Sequence, residues 1–361
     1  MARLDRIRIA GFKSIRDQKV ELRPLNVLIG ANGSGKSNFI GVFRLLHEIV
    51  NGRLQLYVAR NGGADRLLHF GRKVTERLSL ELSFGVNGYV CELEPTVSDS
   101  LVFAREEPQF GTSWSTKPWT EQLGTGHTES ALKPSGRAGI SDFVLHALKS
   151  WQVYHFHDTS EAAKVKQTID LHDNATLRPD AGNLAAFLYR LRMTEADAYR
   201  NITDVIRMVS PFFRDFTLEP DRLNPDKIRL EWQEQGSDSY FDANSLSDGT
   251  LRFICLATLL LQPELPSLVL LDEPELGLHP YAITVLADLL RSAATRSQVV
   301  VSTQSVTLVN QLSPEDILVV DRVDGASVFR RLDQDEVATW MDDYSLGELW
   351  EKNVLGGRPS A

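Results

Sequence analysis

One octapeptide constrains this chain more than any other feature: Gly30-Ala31-Asn32-Gly33-Ser34-Gly35-Lys36-Ser37. It matches the pattern G-x-x-x-x-G-K-[ST] and lies between a short apolar run, Leu25 to Ile29, and a segment with helical spacing of apolar residues that begins at Lys36. The glycines let backbone N–H groups turn inward around phosphate oxygens, and the following helix adds its positive dipole end. The pattern therefore predicts a strand, a phosphate-binding loop and a helix; the alternative is a glycine turn with a surface lysine.

The same pattern predicts how a triphosphate is held. Lys36 neutralises the β- and γ-phosphates in this hypothesis and is a catalytic candidate for that reason, and Ser37 places its hydroxyl on Mg²⁺. Asn38, the next residue, adds a polar contact nearby. Nucleotide contacts are therefore expected from Gly30, Asn32, Gly33, Ser34, Gly35, Lys36, Ser37 and Asn38.

Two adjacent carboxylates follow the apolar run Leu268 to Leu271. In a parallel sheet, the carboxyl edge of the strands is where ligands bind. Asp272 is predicted to hold Mg²⁺ through its hydration shell, and Glu273 to orient and deprotonate the attacking water. Pro274 fits a strand that has ended, and Glu275 is interpreted as structural or solvated. Taken alone, such a run also fits a buried strand capped by solvated acids.

A second candidate anion site precedes the long apolar helix predicted from Thr250 to Leu261. There the sequence Leu-Ser-Asp-Gly-Thr at 246–250, called the signature below, puts a hydroxyl and a glycine at a helix N-terminus. Ser247 or Asp248 could be an ordinary N-cap. In the functional interpretation, the γ-phosphate held by another subunit is bound by Ser247, Asp248, Gly249 and Thr250.

The order of elements predicts an α/β fold. Helices expected at 250–261 and 281–294 alternate with strands at 268–271 and 299–302, which implies a largely parallel sheet. Strands open the chain at 4–9 and 18–22, and a hairpin is expected at 78–93. Between hairpin and signature we predict an exposed loop, a helical layer and strands that return to the sheet: Glu107 to Arg137, Gly182 to Phe213, then segments near Phe216 and at Ile228 to Trp232.

These elements suggest four ranges. An N-terminal lobe with the phosphate loop covers 1–94, and an insertion with the loop, the helical layer and the returning strands covers 95–240. A C-terminal lobe with the signature, the acidic strand and the switch region covers 241–330, and a C-terminal extension covers 331–361.

Composition limits the classes of protein that fit. The formal charge of −9 over 361 residues does not support a globally basic protein that coats nucleic acid. The longest apolar stretch, around Ile254 to Leu261, is too short to span a bilayer, and the N-terminal segment lacks the apolar core of a signal peptide. Cys91 and Cys255 indicate neither a disulfide framework nor a zinc site. We expect a cytoplasmic protein without direct membrane insertion.

The order of the motifs resembles that of the ABC-type ATPases. The phosphate loop is followed by LSDGT where LSGGQ is usual, by LVLLDEPELGLHP at 268–280, and by VVVSTQS at 299–305. Within that class the chain resembles the stand-alone AAA_21 ATPases, relatives of OLD-like and RecF-like proteins, through GFKSI (11–15), FHDTS (156–160), NLAAFLYRLR (183–192) and the C-terminal LGELWEKNVLGGRP. The resemblance implies an α/β P-loop NTPase with an ABC-ATPase-like head: a mixed or parallel core sheet, antiparallel N-terminal strands and an inserted helical layer.

The resemblance also implies ATP and Mg²⁺ as cofactors, and a homodimer in which the signature of one protomer completes the phosphate site of the other. Leu276 to Pro280 resembles the D-loop that crosses the dimer seam, where His279 either acts or only begins a helix. Lys13 and Ser14 resemble strand-turn residues beside the nucleotide. Gln304 stands where the switch histidine is usual and becomes a catalytic candidate. Because glutamine carries no positive charge, hydrolysis is expected to be slow or partner-activated.

Three functions fit such an ATPase. The first, implied by the resemblance, is a subunit of a prokaryotic anti-phage defence or DNA-maintenance system. Its effector, such as a nuclease or toxin, is expected to be a separate chain, because too few residues follow the last predicted core elements for another domain. The second is the nucleotide-binding subunit of a membrane transporter, and the third is an ATP-locked dimer switch with little turnover.

Nucleic acid as a partner stays open at this point. Two groups of cations could form a path for DNA, but neighbouring acids favour solvated charged faces instead. The groups are Arg190, Arg192, Arg200 and Arg207 near the predicted helical layer, and Arg60, Arg66, Arg72 and Lys73 around a glycine-rich turn.

Overall fold

The structure, a computed structural model, describes residues 3–112, 117–134 and 139–357. Within these ranges the chain forms seventeen strands and eleven α-helices. The strands are β1 (Leu4–Phe12), β2 (Ile15–Glu21), β3 (Leu25–Ile29), β4 (Leu78–Phe84), β5 (Asn87–Pro95), β6 (Leu101–Phe110), β7 (Trp119–Thr120), β8 (Trp151–Tyr154), β9 (Ile169–Asp170), β10 (Phe213–Thr217), β11 (Lys227–Ile228), β12 (Glu231–Glu234), β13 (Tyr240–Asp242), β14 (Leu268–Asp272), β15 (Gln298–Ser302), β16 (Ile317–Val323) and β17 (Ala326–Arg331). The helices are α1 (Lys36–Val50), α2 (Leu54–Arg60), α3 (Ala64–Leu67), α4 (Ile140–Lys149), α5 (Leu184–Thr194), α6 (Ala196–Val209), α7 (Asp248–Leu261), α8 (Pro280–Arg296), α9 (Val306–Val309), α10 (Gln334–Ala338) and α11 (Leu346–Glu351).

Two six-stranded sheets organise these elements. The first is antiparallel, with the order β2-β1-β4-β5-β6-β7. The second, the core sheet, has the order β17-β16-β3-β15-β14-β8; its strands β16, β3, β15, β14 and β8 run parallel, and β17 pairs antiparallel with β16. Parallel neighbours need long connections, which helices such as α8 between β14 and β15 provide. The predicted α/β class and the mixed core sheet are confirmed.

The core sheet separates two hydrophobic cores. Successive residues of a strand point to opposite faces. Leu270 and Val300 accordingly face a core that includes α1 and the antiparallel sheet. Val269 and Val301 face the other core, which includes α5 to α8. Burial on both faces explains why these strands read as continuous apolar runs rather than as alternating ones.

The prediction that the strands after the helical layer return to the core sheet is wrong. β10, β12 and β13 form a separate antiparallel sheet, and β11 pairs with β9. Aromatic packing explains the separation, because the ring centre of Phe213 lies 4.7 Å from that of Phe216 and 6.2 Å from that of Trp232. This small sheet therefore buries its own apolar face instead of adding to the core sheet.

A short strand that the sequence did not indicate joins the core sheet instead. β8 pairs in parallel with β14, with Val153 opposite Leu270, and forms the edge of the sheet. Its four residues show no clear period, so pattern alone could not identify it. The range 95–240 thus contributes strands to both large sheets, and the four proposed ranges stay a prediction.

The prediction of an exposed loop from Glu107 to Arg137 is wrong for part of that segment. β6 continues to Phe110, and the buried carboxylate of Glu106 then anchors the following residues. It accepts hydrogen bonds from the hydroxyl of Tyr89 (2.7 Å) and the backbone N–H of Ala131 (2.8 Å). Buried acceptors of this kind need partners, which draws the segment onto the sheet. Positions 113–116 and 135–138 lie outside the described residues.

The longest apolar stretch lies in α7, which is buried against α6 and α8. Cys255 in this helix is a buried free thiol, as is Cys91. Burial raises the pKa of Cys255 to about 12, so the thiol stays protonated. Among the helices of the described ranges, none has the length and apolarity that crossing a membrane requires.

Candidate nucleotide-binding site

The phosphate loop connects β3 to α1, as predicted, and two of its glycines are required by close approaches. Gly30 and Gly35 have φ angles of 152° and 118°. A Cβ at Gly30 would collide with the carbonyl oxygen of Val320, and one at Gly35 with the hydroxyl of Ser327. A Cβ at Gly33 would meet nothing within 4 Å. The loop is therefore packed tightly underneath and open at Gly33, which is the shape that a phosphate cradle requires.

Lys36 is buried inside this loop. Its Nζ donates to the carbonyl oxygens of Gly30 (2.6 Å) and Ala31 (3.1 Å). Burial lowers the pKa of Lys36, and the acidic strand end, with Glu273 first, opposes that shift. The ammonium is thus held at the centre of the loop by neutral acceptors, which a charged phosphate oxygen can replace.

A group of hydroxyls supports the loop from below. The hydroxyl of Ser327 in β17 donates to the carbonyl oxygen of Ser34 (2.5 Å) and lies within hydrogen-bond distance of the hydroxyl of Ser14 (2.6 Å). Asn38 donates to the same Ser14 hydroxyl at 2.7 Å. In this arrangement Asn38 and Ser14 position the loop. Sequence patterns missed Ser327 because it lies about 290 residues away along the chain.

Ser37 and Asp272, the two predicted magnesium ligands, lie side by side. The Ser37 hydroxyl is 3.5 Å from Oδ1 of Asp272, and the hydroxyl of Ser302 donates to the same oxygen. Asp272 and Ser302 are opposite each other at the ends of β14 and β15. A hydroxyl and a carboxylate are hard oxygen donors, which suit Mg²⁺ completed by phosphate and water. The donor set therefore fits the predicted ion, and the role of each ligand stays a prediction.

Glu273 and Gln304 meet beside this pair. The side-chain amide of Gln304 donates to the carboxylate of Glu273. Glu273 has a φ angle of 43°, in the left-handed region that glutamate rarely adopts, and its N–H donates to the carbonyl oxygen of Ser302 at 2.9 Å. Strain of this type is often found at functional sites. The structure thus brings the predicted base and the predicted switch residue into contact.

Glu275 is buried, so the solvated alternative for this residue is wrong. Its Oε1 accepts from the hydroxyl of Thr303 and from the N–H of Gln304 (3.3 Å), while its Oε2 has no hydrogen-bond partner among the described residues. Burial raises the pKa of Glu275. This carboxyl connects the acidic strand end to the backbone of the switch region.

The signature forms an exposed helix N-terminus away from the loop. The Ser247 hydroxyl accepts from the N–H of Thr250 (3.1 Å) and bonds to the Thr250 hydroxyl (2.8 Å), which makes Ser247 the N-cap of α7. Ser247 and Asp248 are exposed. Gly249 packs so closely on the carbonyl of Gly277 that a Cβ would collide with it. Across the described ranges, no hydrogen bond joins the signature to the phosphate loop of its own chain.

Arg252, which the sequence analysis missed, holds the signature helix to the D-loop region. Its guanidinium donates to the carbonyl oxygens of Phe156 (3.0 Å), His157 (3.3 Å) and Leu276. Arg252 is 6% exposed, and burial lowers its pKa. An arginine inside an otherwise apolar helix was the signal that could have identified it, because buried charge needs partners.

His279 and Lys13 take structural places in this chain. The imidazole of His279 is the N-cap of α8 and accepts from the N–H of Tyr281 at 3.3 Å. Lys13 has a φ angle of 48°, and its Nζ lies 5.5 Å from the ring centre of Phe12. Burial lowers the pKa of Lys13, and the charge of Arg44 adds to this shift. A contact of Lys13 with nucleotide stays a prediction.

Most of the arginines near the helical layer that were considered as a path for DNA are bonded within the chain. Arg192 donates to a backbone carbonyl at 2.6 Å, and Arg200 and Arg207 form ion pairs with aspartates three residues upstream. Arg190 lies over the ring of Phe187 at 5.2 Å. Arg192, Arg200 and Arg207 are thus paired within the chain, whereas Nε of Arg190 is buried without a hydrogen-bond partner among the described residues.

A large cavity lies away from the phosphate loop. It has a volume of about 1220 Å³ and is lined by Ser150, Ser267 and Ser297, which precede β8, β14 and β15. It therefore lies at the sheet edge opposite to the phosphate loop. The C-terminal ends of α4, α7 and α8 meet there, and cations such as Arg296, which donates to the carbonyl of Gln262, offset their negative dipole ends. The positively charged side chains that line this cavity thus have a structural explanation.

Comparison with known sequences identifies the family. The sequence model of the AAA_21 family, described as "AAA domain, putative AbiEii toxin, Type IV TA system", matches residues 25–310, which is most of the chain. No curated protein matches this sequence.

Comparison with solved structures identifies the fold. An SMC head bound to the C-winged helix domain of ScpA is 17% identical with a TM-score of 0.58, covering 93% of this chain and 99% of that one. An SMC head with an extended coiled coil bound to the C-terminal domain of ScpA, derived from Pyrococcus furiosus, is 15% identical with a TM-score of 0.58, covering 95% and 99%. An SMC head with a coiled coil and joint from Pyrococcus yayanosii is 13% identical with a TM-score of 0.54, covering 95% and 99%. The chain belongs to the AAA_21 family of P-loop ATPases and has the fold of an ABC-type ATPase head, as the sequence predicts.

Proposed function

We propose that the chain binds ATP with Mg²⁺ and hydrolyses it as a head-to-tail dimer of two copies. One observation carries this proposal. The phosphate loop and the acidic strand ends are in contact within one chain through Ser37 and Asp272, whereas the exposed signature has no hydrogen bond to that loop across the described ranges. A second copy turned head to tail supplies the missing signature to each loop, so that the triphosphate joins the two protomers.

Binding starts with an exchange of partners at Lys36. Its ammonium leaves the carbonyls of Gly30 and Ala31 for phosphate oxygens, which are stronger acceptors because they are charged. Since burial lowers the pKa of Lys36, a nearby anion also favours its protonated form. Ser37 and Asp272 hold Mg²⁺, which when bound neutralises charge on the β- and γ-phosphates.

Hydrolysis then depends on Glu273 and Gln304. Glu273 accepts a proton from the attacking water, and the amide of Gln304 orients that water. In the structure one amide donor of Gln304 is already bonded to Glu273, and the amide nitrogen carries two N–H donors. The base is therefore partly engaged before water is positioned, which supports slow or partner-activated turnover.

The same contact supports a second candidate, an ATP-locked dimer switch. If the Glu273 to Gln304 bond persists with ATP bound, the base is weakened and ATP acts mainly to hold two copies together. The two candidates differ in one measurable quantity, the ratio of ATP hydrolysed to dimer formed.

We infer further that the dimer acts through a separately encoded effector, such as a nuclease or toxin, in anti-phage defence or DNA maintenance. The description of the family, which names a toxin system, supports this inference. Two of the similar SMC heads are described as bound to domains of ScpA, so a head of this fold has a surface for a partner chain. A pull-down from the native host with the ATP-bound form tests it, and recovery of a membrane permease instead would contradict it.

The central test is the mass of the purified chain with and without ATP and Mg²⁺. We expect a shift from one copy to two with ATP, measured by size-exclusion chromatography with light scattering, and none for Lys36→Ala, which removes the buried ammonium. A matched control is Lys149→Ala, because Lys149 is exposed and ends α4 at the edge of the core sheet opposite to the phosphate loop. Wild-type protein that neither binds ATP nor changes mass would contradict the proposed function.

A further inference from the structure

The order of the core sheet gives bound ATP a direction. β14 and β15 carry Asp272, Glu273 and the approach to Gln304, and they lie on one side of β3. β16 and β17 lie on its other side. The phosphate loop follows β3 directly. With the γ-phosphate facing the acidic side, as proposed above, the nucleoside extends over the hairpin formed by β16 and β17.

Three turns meet at that hairpin, and together they are called the nucleoside rim here: residues 11–14, 68–71 and 323–326. The N–H of His69 donates to the carbonyl of Gly11 (3.0 Å), and the His69 ring bonds to the carbonyl of Lys13 (2.7 Å), which joins the first two turns. The third turn contacts the second, because a Cβ at Gly325 would lie 2.7 Å from the ring of Phe70. The rim is therefore one connected surface.

The rim also reaches the phosphate loop itself. Arg322, just before the third turn, donates from Nη1 to the carbonyl oxygen of Gly33 at 3.3 Å. Gly33 is the loop position that faces open space. The rim thus continues the phosphate loop on the side away from Glu273.

Phe70 is the aromatic side chain of this rim. It is 59% exposed and has a φ angle of 55°, which is rare for a bulky residue. The turn that imposes this conformation is closed by the N–H of Gly71 bonding to the carbonyl of Leu68 at 3.1 Å. The His69 ring lies beside the Phe70 ring, with centres 4.4 Å apart. An aromatic ring held in a strained turn and left exposed is preorganised for a ligand rather than for the core.

We propose, on the basis of the ATP site proposed above, that Phe70 stacks on the base of the bound nucleotide. The base is flat and lies where the direction of the sheet puts the nucleoside, and the exposed ring offers it a matching face. Stacking is tolerant of base identity because every base has a π-face. Phe70 therefore contributes affinity for nucleosides over bare polyphosphate and little discrimination between adenine and guanine.

The test compares ATP with inorganic tripolyphosphate, which has the phosphates without the base. Affinities of both probes with Mg²⁺ are measured by calorimetry for the wild type, Phe70→Ala, Phe70→Trp and Lys36→Ala. Phe143→Ala is the matched control, because Phe143 is also an exposed phenylalanine, at 56%, but lies on α4. The ratio of the two affinities is used because a partly unfolded variant lowers both values by the same factor.

We expect Phe70→Ala to weaken ATP about tenfold, the size of one lost base stack, and to leave tripolyphosphate unchanged. Phe70→Trp keeps the wild-type ratio, Phe143→Ala changes neither affinity, and Lys36→Ala weakens both probes. An unchanged ratio in Phe70→Ala overturns the role of Phe70 while the proposed function stands. If the wild type binds neither probe, the proposed function and the stacking role are both overturned.

Discussion

The phosphate-loop side and the signature side of this head are built in opposite ways. On the loop side, segments far apart in sequence already bond to each other, as Ser37 does to Asp272 and Gln304 to Glu273. On the signature side, Ser247 caps its own helix and stays exposed, with its hydroxyl bonded three residues away to Thr250. One half of the proposed site is assembled within the chain, and the other half is an exposed helix N-terminus. Such a pair of halves supports the proposed interface with a second copy.

Exposure does not make the signature side flexible. Gly249 packs on Gly277, and the fork of Arg252 ties α7 to three backbone carbonyls, one of them in the D-loop region. Rigid groups lose little conformational entropy when a partner binds. The loop side therefore has the shape of a site that holds a ligand. The signature side has the shape of a rigid surface that packs against a ligand held by another copy, as proposed above.

The largest effect is expected from a substitution on the loop side only. Glu273→Gln should reduce ATP hydrolysis about 100-fold or more, because the general base is lost. Binding of ATP and dimer formation should persist, since the amide keeps the size of the carboxylate. Phosphate release and light scattering on the same sample measure both. Hydrolysis at the wild-type rate would remove Glu273 from the role of base.

A second experiment uses both sides at once. Lys36→Ala breaks the loop and Ser247→Arg breaks the signature, so each variant alone should be inactive. Mixed in equal amounts they should recover at most about half of the wild-type hydrolysis, because each mixed dimer has one intact site of two. Failure to recover activity, while mixed dimers are demonstrated by tagged co-purification, would contradict sites shared between two chains.

A third experiment loosens the signature side without touching its exposed residues. Arg252→Ala leaves buried carbonyl oxygens without donors and should lower the free energy of unfolding by roughly 1–3 kcal/mol. ATP-dependent dimerisation should fall more than ATP binding, because the signature is no longer fixed to the D-loop region. Urea denaturation and light scattering check the two effects. Arg252→Lys keeps the charge but not the forked guanidinium. Its stability and its ATP-dependent dimerisation should therefore lie between those of the wild type and of Arg252→Ala.

The smallest expected effect concerns pH and the loop side. The folded pKa of Glu275 is raised by burial above its ordinary value of 4.5, so folding binds its proton more tightly. The stabilisation from this proton is fully present below pH 4.5 and is lost as the pH rises through the raised pKa. Glu275→Gln does not titrate at this position. Its melting temperature should therefore rise relative to that of the wild type as the pH increases over this range.

Glu264→Gln, at an exposed position, is the control for the Glu275 prediction. Melting curves from pH 4 to 8 for the three proteins check it. A constant difference between Glu275→Gln and the wild type across this range would mean that Glu275 has no raised pKa.

Local patterns were sufficient for most elements and for the chemistry of single motifs. The apolar run Leu25 to Ile29 is β3 to the residue, and the helix predicted from Lys36 is α1. Such segments were predictable because a continuous apolar run, a glycine loop and helical spacing of apolar residues are each recognisable in a short stretch of sequence. The sequence of β8 shows no such local pattern, since this strand is stabilised by pairing with a strand more than a hundred residues later.

The sequence by itself determined the family and the α/β class and predicted which residue types meet phosphate, because the spacing of glycines, lysine and carboxylates is a local property of the chain. Tertiary structure alone decided which distant groups support them: Ser327 beneath the loop, Arg252 behind the signature, and the burial of Glu275. These choices depend on how strands and helices pack. The physical reason is that a buried polar group must find its partner in space, and its neighbours in space are seldom its neighbours in sequence.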